Sequence, residues 1–167
     1  DFLFNIDSGL NLEALFCSKE DPPDVIFEDL RIEVKEIMDK GRKRHDEVKL
    51  EIAKYGHTLP FVSNPTGIMI YLNPEDAANL VVSELSSYEA SGKYKRITKN
   101  EIDILFYVNK KYHWFEEGAV PNSNLLDKFG WRSVSCVIGS SVSIVFCAEK
   151  NAPALLRNGV GRYFERN

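Results

Sequence analysis

Little in this chain of 167 residues invites a cofactor reading by motif. It has three cysteines, Cys17, Cys136 and Cys147, with no Cys-x-x-Cys spacing, so neither a zinc site nor a disulfide framework is expected. Each sits among apolar residues and reads as a buried free thiol, which points to a reducing compartment. The three histidines, His45, His57 and His113, lie far apart without a His-x-x-x-His pair, so zinc hydrolase chemistry lacks its ligands. No Gly-Lys-Ser or Gly-Lys-Thr exists, which removes a P-loop. Gly159-Val160-Gly161 lacks the third glycine and the strand-to-helix setting of a dinucleotide site. Serines stand in no nucleophile elbow, and Ser83, Ser86 and Ser87 read as helix surface. No apolar run approaches the roughly eighteen residues of a bilayer span. The opening Asp1-Phe2-Leu3-Phe4-Asn5 has no basic leader or long apolar core, so it does not read as a secretory signal. The first residue is not Met, which leaves open a native chain longer at its N-terminus. The expected setting is the cytoplasm, or the nucleus in a eukaryote, with no membrane partner. Excess positive charge is absent too. The net charge of −4 counts against non-specific nucleic-acid binding, although acidic residues in a metal site would contribute to it.

What is present is an ordinary globular composition, 44% hydrophobic and 28% charged, over a length suited to one domain, 1–167. One segment stands out. Residues Pro22 to Ile37 read as a short β-hairpin: a strand Val25–Phe27, a turn at Glu28-Asp29, and a second strand Leu30–Ile37. Side chains alternate faces along a strand. Ile32 and Val34 therefore share one face, and Glu33 and Lys35 the other, with Asp24 at the start of the neighbouring strand beside Glu33. Two carboxylates and one ammonium on the wet side of a half-buried sheet suit Mg²⁺ or Mn²⁺. A metal with a nearby lysine can activate water and stabilise charge on a phosphate. A plain amphipathic strand with solubilising charges is the competing reading.

This run resembles the PD-(D/E)XK nuclease superfamily, whose signature is a Pro-Asp, a short apolar strand, a turn, and Glu-x-Lys in a second strand. The matching residues are Pro23-Asp24 and Glu33-Val34-Lys35, and the likeness covers about residues 10 to 40. A second Glu-x-Lys, Glu47-Val48-Lys49, has no Pro-Asp before it. The resemblance implies Asp24 and Glu33 as metal ligands, the backbone carbonyl of Val34 as a further ligand, and Lys35 as the group that positions or deprotonates water. It also implies an opening helix that often carries an extra acid. Residues 7 to 17 read as such a helix, with Leu12, Leu15 and Phe16 on one face and Glu13 in the acidic position.

Beyond the hairpin, Asp39 to Asp46 is strongly basic, and Lys40, Arg42, Lys43 and Arg44 are candidate phosphate contacts, with a solvated face as the alternative. His45 reads as surface. Val48 to Tyr55 fits strand and helix equally. Gly67 to Leu72 is a continuous apolar run expected to form a buried central strand. Asn73-Pro74-Glu75-Asp76 starts a helix that runs to about Ala90 and closes at Gly92, with Ala77, Ala78, Val81, Val82 and Leu85 inward. Ile102–Val108 is a strand that Tyr112–Phe115 extends or pairs with. Lys110-Lys111-Tyr112-His113-Trp114-Phe115 interleaves cations and aromatics, a mixture that can stack bases, or equally a strand end with a lysine rim. Residues 120–129 read as loop with a short helical piece. Trp131–Ile138 and Ser141–Ala148 flank Gly139-Ser140 as a hairpin. The tail from Asn151 is expected to be partly irregular, docked by Leu155 and Leu156.

The fold expected is therefore α/β: a mixed central sheet flanked by helices, with a restriction-endonuclease-like core. The function expected is a metal-dependent phosphodiester hydrolase acting on DNA or RNA, with Mg²⁺ or Mn²⁺ as cofactor. Two further readings stand beside it: a catalytically silent module of the same fold that binds nucleic acid or a protein, and a small regulatory partner that binds no nucleic acid.

Overall fold

Strand β3 (Leu30–Met38) organises the molecule. In the computed structural model, which describes residues 1–41, 49, 53, 69–122 and 124–166, it lies in a seven-stranded sheet. The other strands are β1 (Phe16–Cys17), β2 (Val25–Phe27), β5 (Asp103–Asn109), β7 (Ser133–Ile138), β8 (Val142–Ala148) and β9 (Arg162–Glu165), in the order β1-β2-β3-β5-β7-β8-β9. β3, β5 and β7 run parallel, and the remaining neighbours are antiparallel. The hairpin read from the sequence is present: Val25 faces Ile32, Phe27 faces Leu30, and Glu28 at φ 52 takes the left-handed turn.

Both faces of this sheet are covered, and the alternation along β5 shows how. Ile104, Phe106 and Val108 pack with Ala77, Ala78, Val81 and Leu85 of helix α2 (Pro74–Ser91). Leu105 points the other way, to a second core that contains Phe2 and Leu3 of α1 (Phe2–Ile6) and Leu156 of α4 (Ala154–Gly159). A fully buried Leu or Val contributes about 1.5–3 kcal/mol, so the four inward α2 side chains anchor that layer. Helix α2 starts as its sequence dictates. Asn73 Oδ1 accepts the Asp76 N–H at 2.9 Å, Pro74 needs no N–H partner, and Gly92 ends the helix at φ 69. Val82 is half-buried rather than fully inward. Among the described residues no helix is long and apolar enough to cross a membrane.

A buried polar lock ties the sheet to the hairpin. Asp103 and Arg132 form an ion pair at 3% and 8% exposure. Asp103 also accepts from the Ser133 hydroxyl at 2.7 Å and the Arg31 N–H at 3.2 Å. Arg132 donates onward to the Asp29 carbonyl at 2.9 Å, inside the β2–β3 turn. Both charges are thus paired and hydrogen-bonded, the condition under which burial is tolerated.

Several expectations are corrected. Residues 7–17 form no α-helix. Asp7 Oδ1 accepts the Gly9 N–H at 2.9 Å and Asn11 Oδ1 the Glu13 N–H at 3.0 Å, so side chains claim backbone donors and only a 3₁₀ turn, Leu12–Ala14, remains. Phe16 then pairs with Ile26 as the outer strand, leaving Leu15 and Phe16 exposed. The opening helix is α1, five residues earlier than read. Of the apolar run Gly67 to Leu72, residues 67 and 68 lie outside the described residues, and the rest is no central strand. β4 (Ile70–Leu72) pairs in parallel with β6 (His113–Phe115) as a separate two-stranded sheet, with Met69, Ile70 and Tyr71 exposed and Leu72 buried. Tyr112–Phe115 therefore neither extends β5 nor pairs with it. Cys17 is exposed, whereas Cys136 and Cys147 are buried thiols as expected. The tail is partly irregular and docked by Leu156 as expected, but it also carries α4, and Gly161 (φ 74) turns the chain into β9. The short helical piece after residue 120 is α3 (Asn124–Asp127), and Gly139 turns the β7–β8 hairpin at φ 58. Most of Val48–Tyr55, and residues 42–48, lie outside the described residues.

Candidate metal and catalytic site

The hairpin brings its three charged side chains together. Asp24 Oδ2 accepts the Val34 N–H at 2.8 Å, which fixes the carboxylate against β3 just above the first paired residues of β2. Lys35 Nζ lies 2.5 Å from Glu33 Oε1 and 3.6 Å from Asp24 Oδ2. The sheet face is not the wet one expected. Glu33 is 1% exposed, because the segment following α2 closes over it. Gly92 turns the chain at the end of α2, and Tyr94 then donates its hydroxyl to Glu33 Oε1 at 2.8 Å. The Tyr94 ring stands edge-on to Tyr88 and Trp131, at 5.5 and 5.0 Å between centroids. Burial first, then the hydrogen bond to Glu33 and its charge, hold the Tyr94 hydroxyl well above its ordinary ionisation range, so it remains a donor.

Glu33 is therefore used asymmetrically. Two donors converge on Oε1, while Oε2 is buried with no hydrogen-bond partner among the described residues. Such an orphan costs about 1–3 kcal/mol or more when the group is charged. Three carboxylates converge here: ligand oxygens of Asp21, Asp24 and Glu33 all lie within 4.8 Å of one another. Hard oxygen donors at this spacing fit a divalent cation such as Mg²⁺ or Mn²⁺.

The other expected site residues fall elsewhere. Glu13 is exposed on its 3₁₀ turn and is not in the three-carboxylate group. Lys40 is exposed just past β3. Arg42, Lys43, Arg44 and His45 lie outside the described residues. Asp21 and Tyr94 were not read as site residues. Asp21 carried a usable signal, an acid three positions before Asp24 across Pro22-Pro23. Tyr94 carried none, being 61 positions from Glu33 in a loop. A cavity of about 400 Å³ lies on the opposite face of β3, lined by Val25, Ile32, Val34 and Leu105, and is separate from this site.

A family model described as "Putative endonuclease, protein of unknown function (DUF1780)" matches residues 1–167. The chain belongs to that family. No curated protein matches the chain. A solved structure from Pseudomonas aeruginosa strain PAO1, described as a protein of unknown function of the monooxygenase superfamily, shares the fold. Its TM-score is 0.71 at 21% identity, over 99% of this chain and 77% of that one. At this identity the likeness carries the architecture alone.

Proposed function

We propose that this DUF1780 protein is a metal-dependent phosphodiester hydrolase acting on DNA or RNA, with a site of the PD-(D/E)XK kind. The observation that carries the reading is Glu33: a buried carboxylate with one oxygen held by Tyr94 and Lys35 and the other without a partner among the described residues, in a group of three converging carboxylates. A buried charge half-satisfied by protein is unfavourable as a purely structural device. It is what a cation ligand needs.

Asp24, Glu33 and the backbone carbonyl of Val34 would hold Mg²⁺ or Mn²⁺. When bound, the cation supplies Lewis-acid stabilisation of phosphate charge and a more acidic water. Asp24 is oriented by the Val34 N–H. Tyr94 keeps Glu33 in one rotamer and shields it from bulk water. Lys35, at 21% side-chain exposure, is the cluster's cation among the described residues and reaches solvent, so its ammonium can meet a scissile phosphate or orient the attacking water. Lys40, with Arg42, Lys43 and Arg44, would contact backbone phosphates. The site retains an acid pair and a lysine together, which favours an enzyme over a silent module of the same fold.

The test is a panel of single- and double-stranded DNA and RNA with the wild type and Asp24→Asn, in Mg²⁺, Mn²⁺ or chelator. Cleavage by the wild type that needs metal and Asp24 is the expected result. Metal-independent cleavage, or equal cleavage by Asp24→Asn, would refute it. Binding to the panel without cleavage would favour the silent module.

A further inference from the structure

The three-carboxylate cluster holds one residue that the nuclease signature does not use. We infer that Asp21 is a third protein ligand of a divalent cation at this site, the acidic role that Glu13 was expected to fill; the inference rests on the metal reading above. Asp21 places a carboxylate oxygen within 4.8 Å of ligand atoms of both Asp24 and Glu33. The second and independent observation is Glu33 Oε2, which is buried in a residue 1% exposed and has no partner among the described residues. No hydrogen-bonding group of the described residues satisfies it, and a cation at this spot would.

Charge decides what that is. Asp24 and Glu33 with Lys35 sum to −2 + 1 = −1. Adding Asp21 gives −2, the charge that one divalent cation neutralises. The spacer supports the geometry. Asp21 and Asp24 are separated by Pro22 and Pro23, whose ring-locked φ angles limit how far the two carboxylates can drift apart. Pro23 is buried, which anchors that spacer, whereas Glu13 sits on a separate exposed turn. Asp21 itself is exposed, so it approaches the cation from the solvent side while Glu33 does so from the interior. Three carboxylates also predict measurable cation binding before any nucleic acid arrives, where two would leave an incomplete site.

Mn²⁺ titration, read by the paramagnetic resonance signal of the free ion and without nucleic acid, tests this on wild type, Asp21→Asn, Glu20→Gln, Glu13→Gln and Asp24→Asn. Glu20 is the control for bulk charge: it is the adjacent exposed acid, bonded to Arg31 at 3.3 Å. Asp21→Asn should weaken Mn²⁺ binding by at least about tenfold, the least that losing a group around a metal site commonly costs. Glu20→Gln and Glu13→Gln should change it by no more than about fivefold, the scale of an exposed charge. Wild-type affinity in Asp21→Asn, or equal weakening in Asp21→Asn and Glu20→Gln, would overturn the inference. In that case a loss in Asp24→Asn would leave the metal reading standing. No binding by the wild type, or full binding by Asp24→Asn, would overturn both.

Discussion

The Tyr94 hydroxyl donates to Glu33 Oε1 at 2.8 Å, joining the turn after α2 to the middle of β3 across 61 positions of chain. Tyr94→Phe removes this donor and leaves the ring packing with Tyr88 and Trp131 in place. A buried carboxylate that loses one of its two partners should cost about 1–3 kcal/mol. Urea unfolding of the variant is the check, and an unchanged midpoint would mean that the hydroxyl does not support Glu33.

Lys35→Ala acts on both stability and chemistry. Alternation along β3 alone would make Lys35 a surface residue with little effect on stability. The structure instead pairs it with a buried carboxylate, and removing one partner of such a pair is costly. The expected loss is about 1–3 kcal/mol, at the lower end because Lys35 keeps some solvent contact. Cleavage should fall on the order of 100- to 1000-fold, as when an electrostatic catalytic group is removed. Mn²⁺ should restore part of the lost stability, since a ligand that binds only the folded state stabilises it. Chemical denaturation with and without Mn²⁺, beside single-turnover cleavage, separates the effects. Undiminished cleavage would take the chemistry away from this motif.

Arg132→Ala should be the more damaging change although it lies outside the site. It strands Asp103 in the interior with the Ser133 hydroxyl and the Arg31 N–H, and it frees the Asp29 carbonyl at the hairpin turn. Breaking a buried pair in this way costs about 3–5 kcal/mol. Calorimetric melting should show the loss with or without metal, and a shift smaller than that of Tyr94→Phe would contradict the lock.

Alkaline stability has a determined sign. Burial raises the thiols of Cys136 and Cys147, the latter from 9.0 to about 12, and raises Tyr88 from 10.0 to about 12, with Glu84 and Glu33 adding to the tyrosine shift. In each case the unfolded chain ionises first. The stability these groups contribute is therefore complete below about pH 9 and declines as pH rises through 9 to 12. Urea midpoints measured from pH 7 to pH 11 should be level and then fall. A rise in that upper range would contradict the burial of these groups.

Much of this fold was legible in the sequence because local rules agreed with tertiary context. Asn73-Pro74 and Gly92 bound α2 within a residue or so, and Glu28-Asp29 and Gly139-Ser140 turn their hairpins. The pairing of Glu33 with Lys35 beside Asp24 followed from alternation and one turn. What failed was non-local. Alternation states that Glu33 and Ile32 face opposite ways, but not that α2, Tyr94 and Trp131 would cover the Glu33 side. The apolar run ending at Leu72 has the composition of a core strand, yet its partner is the three-residue β6. The helix expected over 7–17 lost to the short-range side-chain bonds of Asp7 and Asn11, which periodicity does not register.

The most direct measurement is anomalous diffraction from crystals soaked in Mn²⁺. Glu33 Oε2, without a partner among the described residues, should be a ligand. The account predicts a manganese peak that contacts Glu33 Oε2 and an Asp24 oxygen at about 2.0–2.3 Å, the range for small divalent cations on oxygen. Manganese bound elsewhere on the protein, with none at Glu33 and Asp24, would contradict it.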